Sequence, residues 1–415
     1  MRPRFLLFVL LLISVGAAQS TRQFTGFGEE FGAGDSDALG AGGIYAVPEG
    51  ESGYSLDGPA SWCRARTTHL YAALNYSSAI MSDDYVLAKT GLSHIQFIAH
   101  MDNSNAFSLA VLPFTRVDAH VFGAESKILV LQNGGFIRYA QEQVTKGGIS
   151  IFRAGYSRKV MPNLSVGAQL DSYFGTLAQE NGVNYLLVSQ VNGLSSLDSL
   201  VGLQKRYQFF GKGMSVHAIF SDLPKIGGEV GLQIDLPITA RAVQRKFHSG
   251  PSSFILETTL EDLAMPLRMA LGYGRTLGER HHLRLQGKIR TLEDDARWNH
   301  FFGRYVKSQT EWAMAYSLLP KNVPEISVRN RLLWRAGMYG QSTELSDAGF
   351  GILKELGVTF GARFEALTTG TMLSVGFKLG RRDSVFPIGE SETIWRVTTS
   401  LSTGEKWFAR PDKKW

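Results

Sequence analysis

The sequence predicts an all-β protein, a transmembrane antiparallel up-and-down β-barrel of about 14 strands with an N-terminal hatch or plug segment. Three features carry that expectation. The chain opens on an export signal, a two-residue hydrophobic period runs from Thr67 almost to the end, and tight turns alternate with long polar joints.

The first residues set the compartment. Arg2 and Arg4 precede an unbroken apolar run from Phe5 to Ile13, and Ala17, Ala18, Gln19 and Ser20 follow. Charge, a short apolar core and small residues form a secretory signal over residues 1–20, and cleavage after Ala18 or Ser20 fits equally. The apolar run is too short to cross a bilayer as a helix, and no cysteine nearby could carry a lipid anchor. Beyond residue 20 no stretch of about eighteen apolar residues occurs, so any membrane crossing must be made by strands. Loss of the signal removes two arginines and lowers the formal charge from +6 to +4, a mild excess that gives no reason to expect nucleic acid as a partner. The single cysteine, Cys63, excludes an internal disulfide framework and reads as an inert thiol.

Residues 21–66 differ in texture from the rest. Glycines recur among short polar residues, a poor composition for helix or sheet, and the segment reads as a linker or as a plug that needs a surrounding wall. From Thr67 the alternation begins: Leu70, Ala72, Leu74 and Tyr76 share one face, and His69, Tyr71, Ala73 and Asn75 the other. Fifteen such runs follow one another, including separate ones near 133–145 and 149–158. Single-chain bacterial barrels take even strand numbers, so fourteen are expected, with one run a loop excursion or half of a split strand. Tight joints lie at Met161-Pro162-Asn163, Asp222 to Lys225, Leu277 to Arg280 and Leu367 to Gly370; long ones are expected at 175–202, 242–252, 292–306, 341–352 and 381–390. Short periplasmic turns and long outer loops have this two-sidedness. In the last strand Trp395, Val397, Thr399 and Leu401 form the uncharged face expected to meet lipid. Arg396 then points to the lumen, and the strand pairs with the first, near Thr67 to Ser78, because an open edge in hydrocarbon leaves backbone groups unsatisfied.

Aromatic residues make up 11% of the chain and cluster near expected strand ends, Tyr173, Phe174, Phe209, Phe210, Tyr339 and Trp395 among them, as interfacial girdles do. Arginine and lysine recur inside the strands, at Arg153, Lys205, Arg241, Arg268, Arg284, Lys288, Arg363 and Lys378 among others. On a lipid face near the midplane each would cost about 2–4 kcal/mol, so these side chains belong in the lumen or near the headgroups. Chemistry is not indicated: G-x-S-x-G, H-E-x-x-H and paired C-x-x-C are absent, and His281-His282 point to opposite faces of a strand. The carboxylate runs Glu261-Asp262 and Glu293 to Asp295 read as solvated charge, and the basic pairs Arg381-Arg382 and Lys413-Lys414 as solvated charge or lipid-headgroup contacts. The expectation is therefore no catalytic residue, no metal, no cofactor and no enzyme activity.

The chain resembles the FadL-type outer-membrane proteins, the long-chain fatty-acid transporter superfamily. The resemblance runs through the glycine stretch Ala38-Leu39-Gly40-Ala41-Gly42-Gly43, then Gly58-Pro59-Ala60 in the place of an Asn-Pro-Ala hatch motif. It continues in Phe107-Ser108-Leu109-Ala110-Val111-Leu112-Pro113-Phe114-Thr115-Arg116 and in the chain end Leu401 to Phe408. Gly58 stands where the family has asparagine. The resemblance implies a bacterial outer-membrane barrel holding a hatch, with Gly58, Pro59 and Ala60 as its hatch motif and Trp407 and Phe408 as an end signal for the barrel-insertion machinery. Barrel and hatch are then expected over residues 67–415 and 21–66. The implied function is passive uptake of hydrophobic small molecules such as fatty acids, often released sideways through an opening in the wall. Partners are the lipid bilayer, lipopolysaccharide and such solutes. A PorV-like and PorQ-like branch implies instead an accessory of type IX secretion or outer-membrane assembly, with secretion components as partners and no solute transport. A general porin is a third reading, and fold alone does not separate them.

Overall fold

Alternating side chains close the chain into a ring of strands. The computed structural model describes residues 29–30, 35–50, 53–80, 86–122, 127–130, 136–189, 193–195, 201–223, 227–248, 255–260, 263, 265–292, 305–320, 332–346, 351–365, 371–383 and 391–405. The export signal and the Trp407-Phe408 end signal lie outside them. Fourteen strands build the wall in antiparallel order. They are β1 (Thr68–Ile80), β2 (Val86–Asp102), β3 (Asn105–Phe122), β4 (Phe136–Met161), β5 (Leu164–Ser189), β6 (Val201–Phe220) and β7 (Glu229–His248). β8 (Leu267–Leu277), β9 (His281–Thr291), β10 (Val306–Leu318), β11 (Leu332–Leu345), β12 (Ile352–Glu365), β13 (Met372–Asp383) and β14 (Ser391–Glu405) complete it.

Closure follows the expected register. β14 pairs with β1 from Thr393 opposite Ile80 to Glu405 opposite Thr68, leaving no free edge in the wall there. Which way the side chains face is decided by the period of two. Leu70, Leu74 and Leu401 are 54%, 55% and 50% exposed on the outside, whereas Tyr71 and Ser400 between them are 5% and 4% exposed. Apolar outside and polar inside is the inverse of a soluble barrel and suits lipid around the wall. No described helix is long and apolar enough to cross a membrane.

One sequence alternative is resolved and one expectation is corrected. The runs near 133–145 and 149–158 are one strand, β4, of 26 residues, which leaves the expected fourteen. Its break in alternation is Gly147-Gly148, with φ of 125° and 151°, a conformation that side chains resist and glycine adopts freely. The fifteenth run is thus half of a split strand. The stretches 175–202 and 242–252 are largely strand, because β5 continues to Ser189 and β7 to His248, and β11 continues through Leu345. These upper parts mix polar and charged residues such as Gln179, Glu180, Asn181, Gln244 and Arg245 with short apolar runs, and so lack the sustained apolar alternation that marks a membrane strand. Short strands at Lys127–Val130, Gly193–Ser195 and Ile255–Leu260 extend the sheet at this end.

The N-terminal segment packs inside the ring. Asp35 caps a short helix, α1 (Ser36–Gly40), by accepting from the Asp37 N–H, and a 3-10 helix at Pro59–Arg64 precedes β1. Ala41, Ile44 and Val47 pack against Ala313, Ala315 and Tyr339 of the wall; Leu56 and Trp62 pack against Tyr71, Ala73 and Ile98. Glycines in the wall make room for the inner backbone. A Cβ on Gly231 would lie 1.8 Å from the Ala46 carbonyl oxygen, and one on Gly376 would lie 2.3 Å from that of Ser36.

Candidate functional site: the hatch–wall junction

The inner segment carries acids, and the strands facing it carry arginines. Glu49 is held by Arg335 of β11 and Arg284 of β9. The Arg335 guanidinium donates to Glu49 Oε1 at 3.0 Å and to Oε2 at 2.9 and 2.6 Å, and Arg284 donates at 3.0 Å. Arg335 also donates to Asp37 Oδ1 at 2.8 Å, and Arg363 of β12 donates to Asp37 Oδ2 at 2.9 Å. Three strands therefore grip two carboxylates of the hatch. The Arg335 side chain has no exposed surface, and that of Glu49 is 6% exposed. Buried charges are tolerated only when paired in this way.

Burial alone would raise the Glu49 carboxyl, but Arg335 and Arg284 outweigh it and hold it well below the usual range. Asp37 is lowered on the same balance: burial opposes, and Arg335 and Arg363 prevail. Asp35 has no such partner. It accepts from the Tyr71 hydroxyl at 2.9 Å and from the Asp37 N–H at 2.8 Å. Burial, reinforced by the charge of Asp37, pushes it up to about 7.

A second grip lies across the lumen. His217 of β6 accepts from the Ala60 N–H at Nδ1 (3.1 Å), so its proton is on Nε2, which donates to the Ala46 carbonyl at 2.9 Å. One ring thus ties both arms of the hatch to one strand. On the first side, Gln286 of β9, two residues from Arg284, accepts from the Tyr45 and Ala46 N–H groups at 3.0 and 2.9 Å. Arg153 of β4 forms a two-point pair with Asp171 of β5 and reaches Asp57 of the hatch at 3.0 Å. The Cys63 N–H donates to Ser157, and Cys63 itself is buried.

The hatch motif sits in this second grip. Gly58 lies against the Tyr45 carbonyl and the His217 ring, and Pro59 against Gly167 of β5. Of the strand cations singled out in the sequence, Arg153, Arg284 and Arg363 reach the hatch, and Lys378 pairs with Glu355 at 2.9 Å within the wall. Arg241 faces outward. Arg382 corrects the reading of Arg381-Arg382 as solvated charge or headgroup contacts: Arg381 is exposed, but Arg382 is 4% exposed and paired with Glu392 at 2.9 Å. Arg335, Asp37, Glu49 and His217 escaped sequence reasoning. The available signal was complementarity, acids in a glycine-rich segment against basic residues at inward strand positions.

Where the wall is least regular a small cavity opens. β7 pairs with β8 from Glu229 to Asp235 and with the strand Ile255–Leu260 from Ala242 to Phe247, so the described ladder on that side skips Leu236 to Arg241. Phe114, Tyr173, Met214, Pro237, Met265 and Arg268 line a space of about 10 Å³ there, no more than one water needs. Among the described residues no group of three His, Cys, Asp or Glu side chains is gathered as a metal site requires.

The profile of the BamG family matches residues 1–413. No curated protein matches the sequence. Solved outer-membrane channels share the fold at low identity. CymD, a monoaromatic hydrocarbon channel, is 12% identical with a TM-score of 0.55, over 94% of this chain and 100% of that one. A Pseudomonas aeruginosa FadL homologue is 11% identical with a TM-score of 0.54, over 90% and 98%. The Ralstonia pickettii toluene transporter TbuX is 10% identical with a TM-score of 0.54, over 89% and 98%.

Proposed function

The chain belongs to the BamG family, and from that premise we propose that it is an outer-membrane accessory barrel of the barrel-assembly machinery, closed by its hatch, that acts through its surfaces. The observation that carries this reading is the hatch–wall junction: buried ion pairs from β9, β11 and β12 on one side, and His217 and Arg153 on the other, pin the hatch from opposite walls. A pore that passes solute needs a path, and a plug held by buried charge pairs is costly to move. In this reading residues 1–20 are the export signal, 21–66 the hatch and 67–415 the barrel. Gly58, Pro59 and Ala60 seat the hatch, and Trp407 and Phe408 address the barrel-insertion machinery.

Passive uptake of hydrophobic molecules is the second reading. The shared fold of hydrocarbon channels supports it, and so does the gap in the ladder beside Leu236 to Arg241, next to a small cavity whose lining mixes Phe114, Tyr173, Met214 and Met265 with Asp171, Asp235 and Arg268. Two measurements separate the readings. The tagged barrel, solubilised gently from outer membranes, is expected to bring down the barrel-insertion machinery, and proteoliposomes containing it should take up labelled fatty acid or toluene no faster than empty ones. Uptake above empty liposomes, without co-purification, would reverse the order of the two readings.

A further inference from the structure

The outer surface of β5–β7 changes character over one height. Below, Leu170, Val216, Phe220, Leu236 and Ile238 are exposed on the outside. At about 3.3 Å per residue and about 45° of tilt, the ten residues from Phe220 up to Phe210 rise roughly 23 Å, the height of a barrel's apolar band. At the top of that band and above it the same face turns basic. Lys212, Arg206, Arg241 and Arg245 are all exposed. Arg206 of β6 stands opposite Arg245 of β7, and Arg241 stands opposite Phe210.

Like charges placed opposite each other in a ladder destabilise it, so this arrangement asks for an anion. Acids stand only at the margin: Glu257 pairs with Arg245 at 3.0 Å, both about half exposed, and Glu180 is bonded to Gln204. Among the described residues no carboxylate lies within ion-pairing distance of Arg206, Lys212 or Arg241. Two of the arginines instead lie over aromatic rings, Arg206 over Phe247 at 5.3 Å and Arg241 over Phe210 at 5.1 Å. Stacking holds the guanidinium planes while leaving their N–H edges free to donate.

We propose that this face is a binding site for the phosphorylated headgroup of an outer-leaflet glycolipid. Phosphate oxygens accept from Arg206, Arg241, Arg245 and Lys212, and the acyl chains lie along Leu170, Val216 and Ile238 below. The height selects this occupant, because a ligand from bulk water would not need cations set at the rim of hydrocarbon. The occupied site also suits the tall wall: β4 and β5 have 26 residues each, whereas β8 and β9 have 11, so this side of the barrel projects farthest among the headgroups.

The test uses the full-length barrel in detergent, with bisphosphorylated lipid A and the same lipid stripped of phosphate as probes, read by native mass spectrometry. Wild type is expected to bind the bisphosphorylated form about tenfold or more tightly than the stripped one. The variant Arg206→Gln/Lys212→Gln/Arg241→Gln should lose that preference. Arg206→Lys/Arg241→Lys should keep part of it, and Arg381→Gln on the opposite wall all of it. Heat-modifiability establishes that each variant is folded. Equal binding of both lipids by wild type, or an undiminished preference in the folded triple variant, overturns the proposal.

Discussion

Asp35 and Glu49 belong to the same buried charge web and answer pH in opposite directions. Glu49 and Asp37, held low by their arginines, stay ionised until pH falls below the usual carboxylate range, so their grip is lost only in acid. Asp35, pushed up to about 7, is protonated in the folded protein where an unfolded aspartate, at about 3.9, is already charged. The folded state then binds the extra proton, so stability falls as pH rises from about 4 and the loss is complete above about 7. Protection of the amides of 36–43, taken relative to their intrinsic base-catalysed exchange, should therefore fall between pH 5 and pH 8, and Asp35→Asn should flatten the change, since asparagine caps a helix equally well. An unaltered pH profile in Asp35→Asn would remove Asp35 from this role. Glu49→Gln strips charge from beneath Arg335 and Arg284, and breaking a buried pair costs about 3–5 kcal/mol. Protease should then cut between Gly40 and Ala60 while the barrel remains heat-modifiable.

At the scale of the strand, facing decides what a substitution does. In β14, Leu401 lies outside, and Thr398 and Ser400, at 1% and 4% exposure, lie inside, so Val397 meets lipid and Arg396 the lumen. Val397→Arg places a charge in hydrocarbon at about 2–4 kcal/mol, and Arg396→Leu does not. The folded fraction in outer membranes should drop far more for the first; equal loss would mean the strand faces the other way. Gly231 tests the hatch from the wall side. It has no room for a Cβ against Ala46, so Gly231→Val should fold into a barrel whose hatch is unseated, seen as clipping at 40–60 without loss of the heat-modifiable band. An unclipped Gly231→Val barrel would show that the hatch backbone yields there at little cost.

The molecule as a whole is a closed ring around a pinned plug, and its function turns on whether the plug ever leaves. Ser36 of α1 and Ser400 of β14 touch through their hydroxyls. Ser36→Cys/Ser400→Cys places two thiols where a disulfide can form, and the native Cys63 is buried away from both. An accessory barrel should support outer-membrane assembly as well oxidised as reduced. A channel that displaces its hatch should lose uptake on oxidation and regain it with reductant. Loss of assembly in the oxidised form alone would mean that the hatch moves during that work too.

The barrel was legible in the sequence because lipid outside and water or plug inside impose a period of two on each membrane strand, and Leu70, Tyr71 and Leu74 display it without reference to any partner. The order of the strands and the pairing of last with first followed from the need to leave no edge in hydrocarbon. Strand ends above the membrane were not legible, since β5 and β7 continue there through mixed polar and apolar residues without a sustained apolar face. The hatch site was not legible either. Asp37 and Glu49 meet Arg284, Arg335 and Arg363 across 235 to 326 residues of sequence, and the contact exists only once the ring has closed around the segment. Alternation is a local property of each strand against its solvent. The choice of which arginine grips which acid belongs to the closed lumen, where desolvation makes every buried charge find its partner.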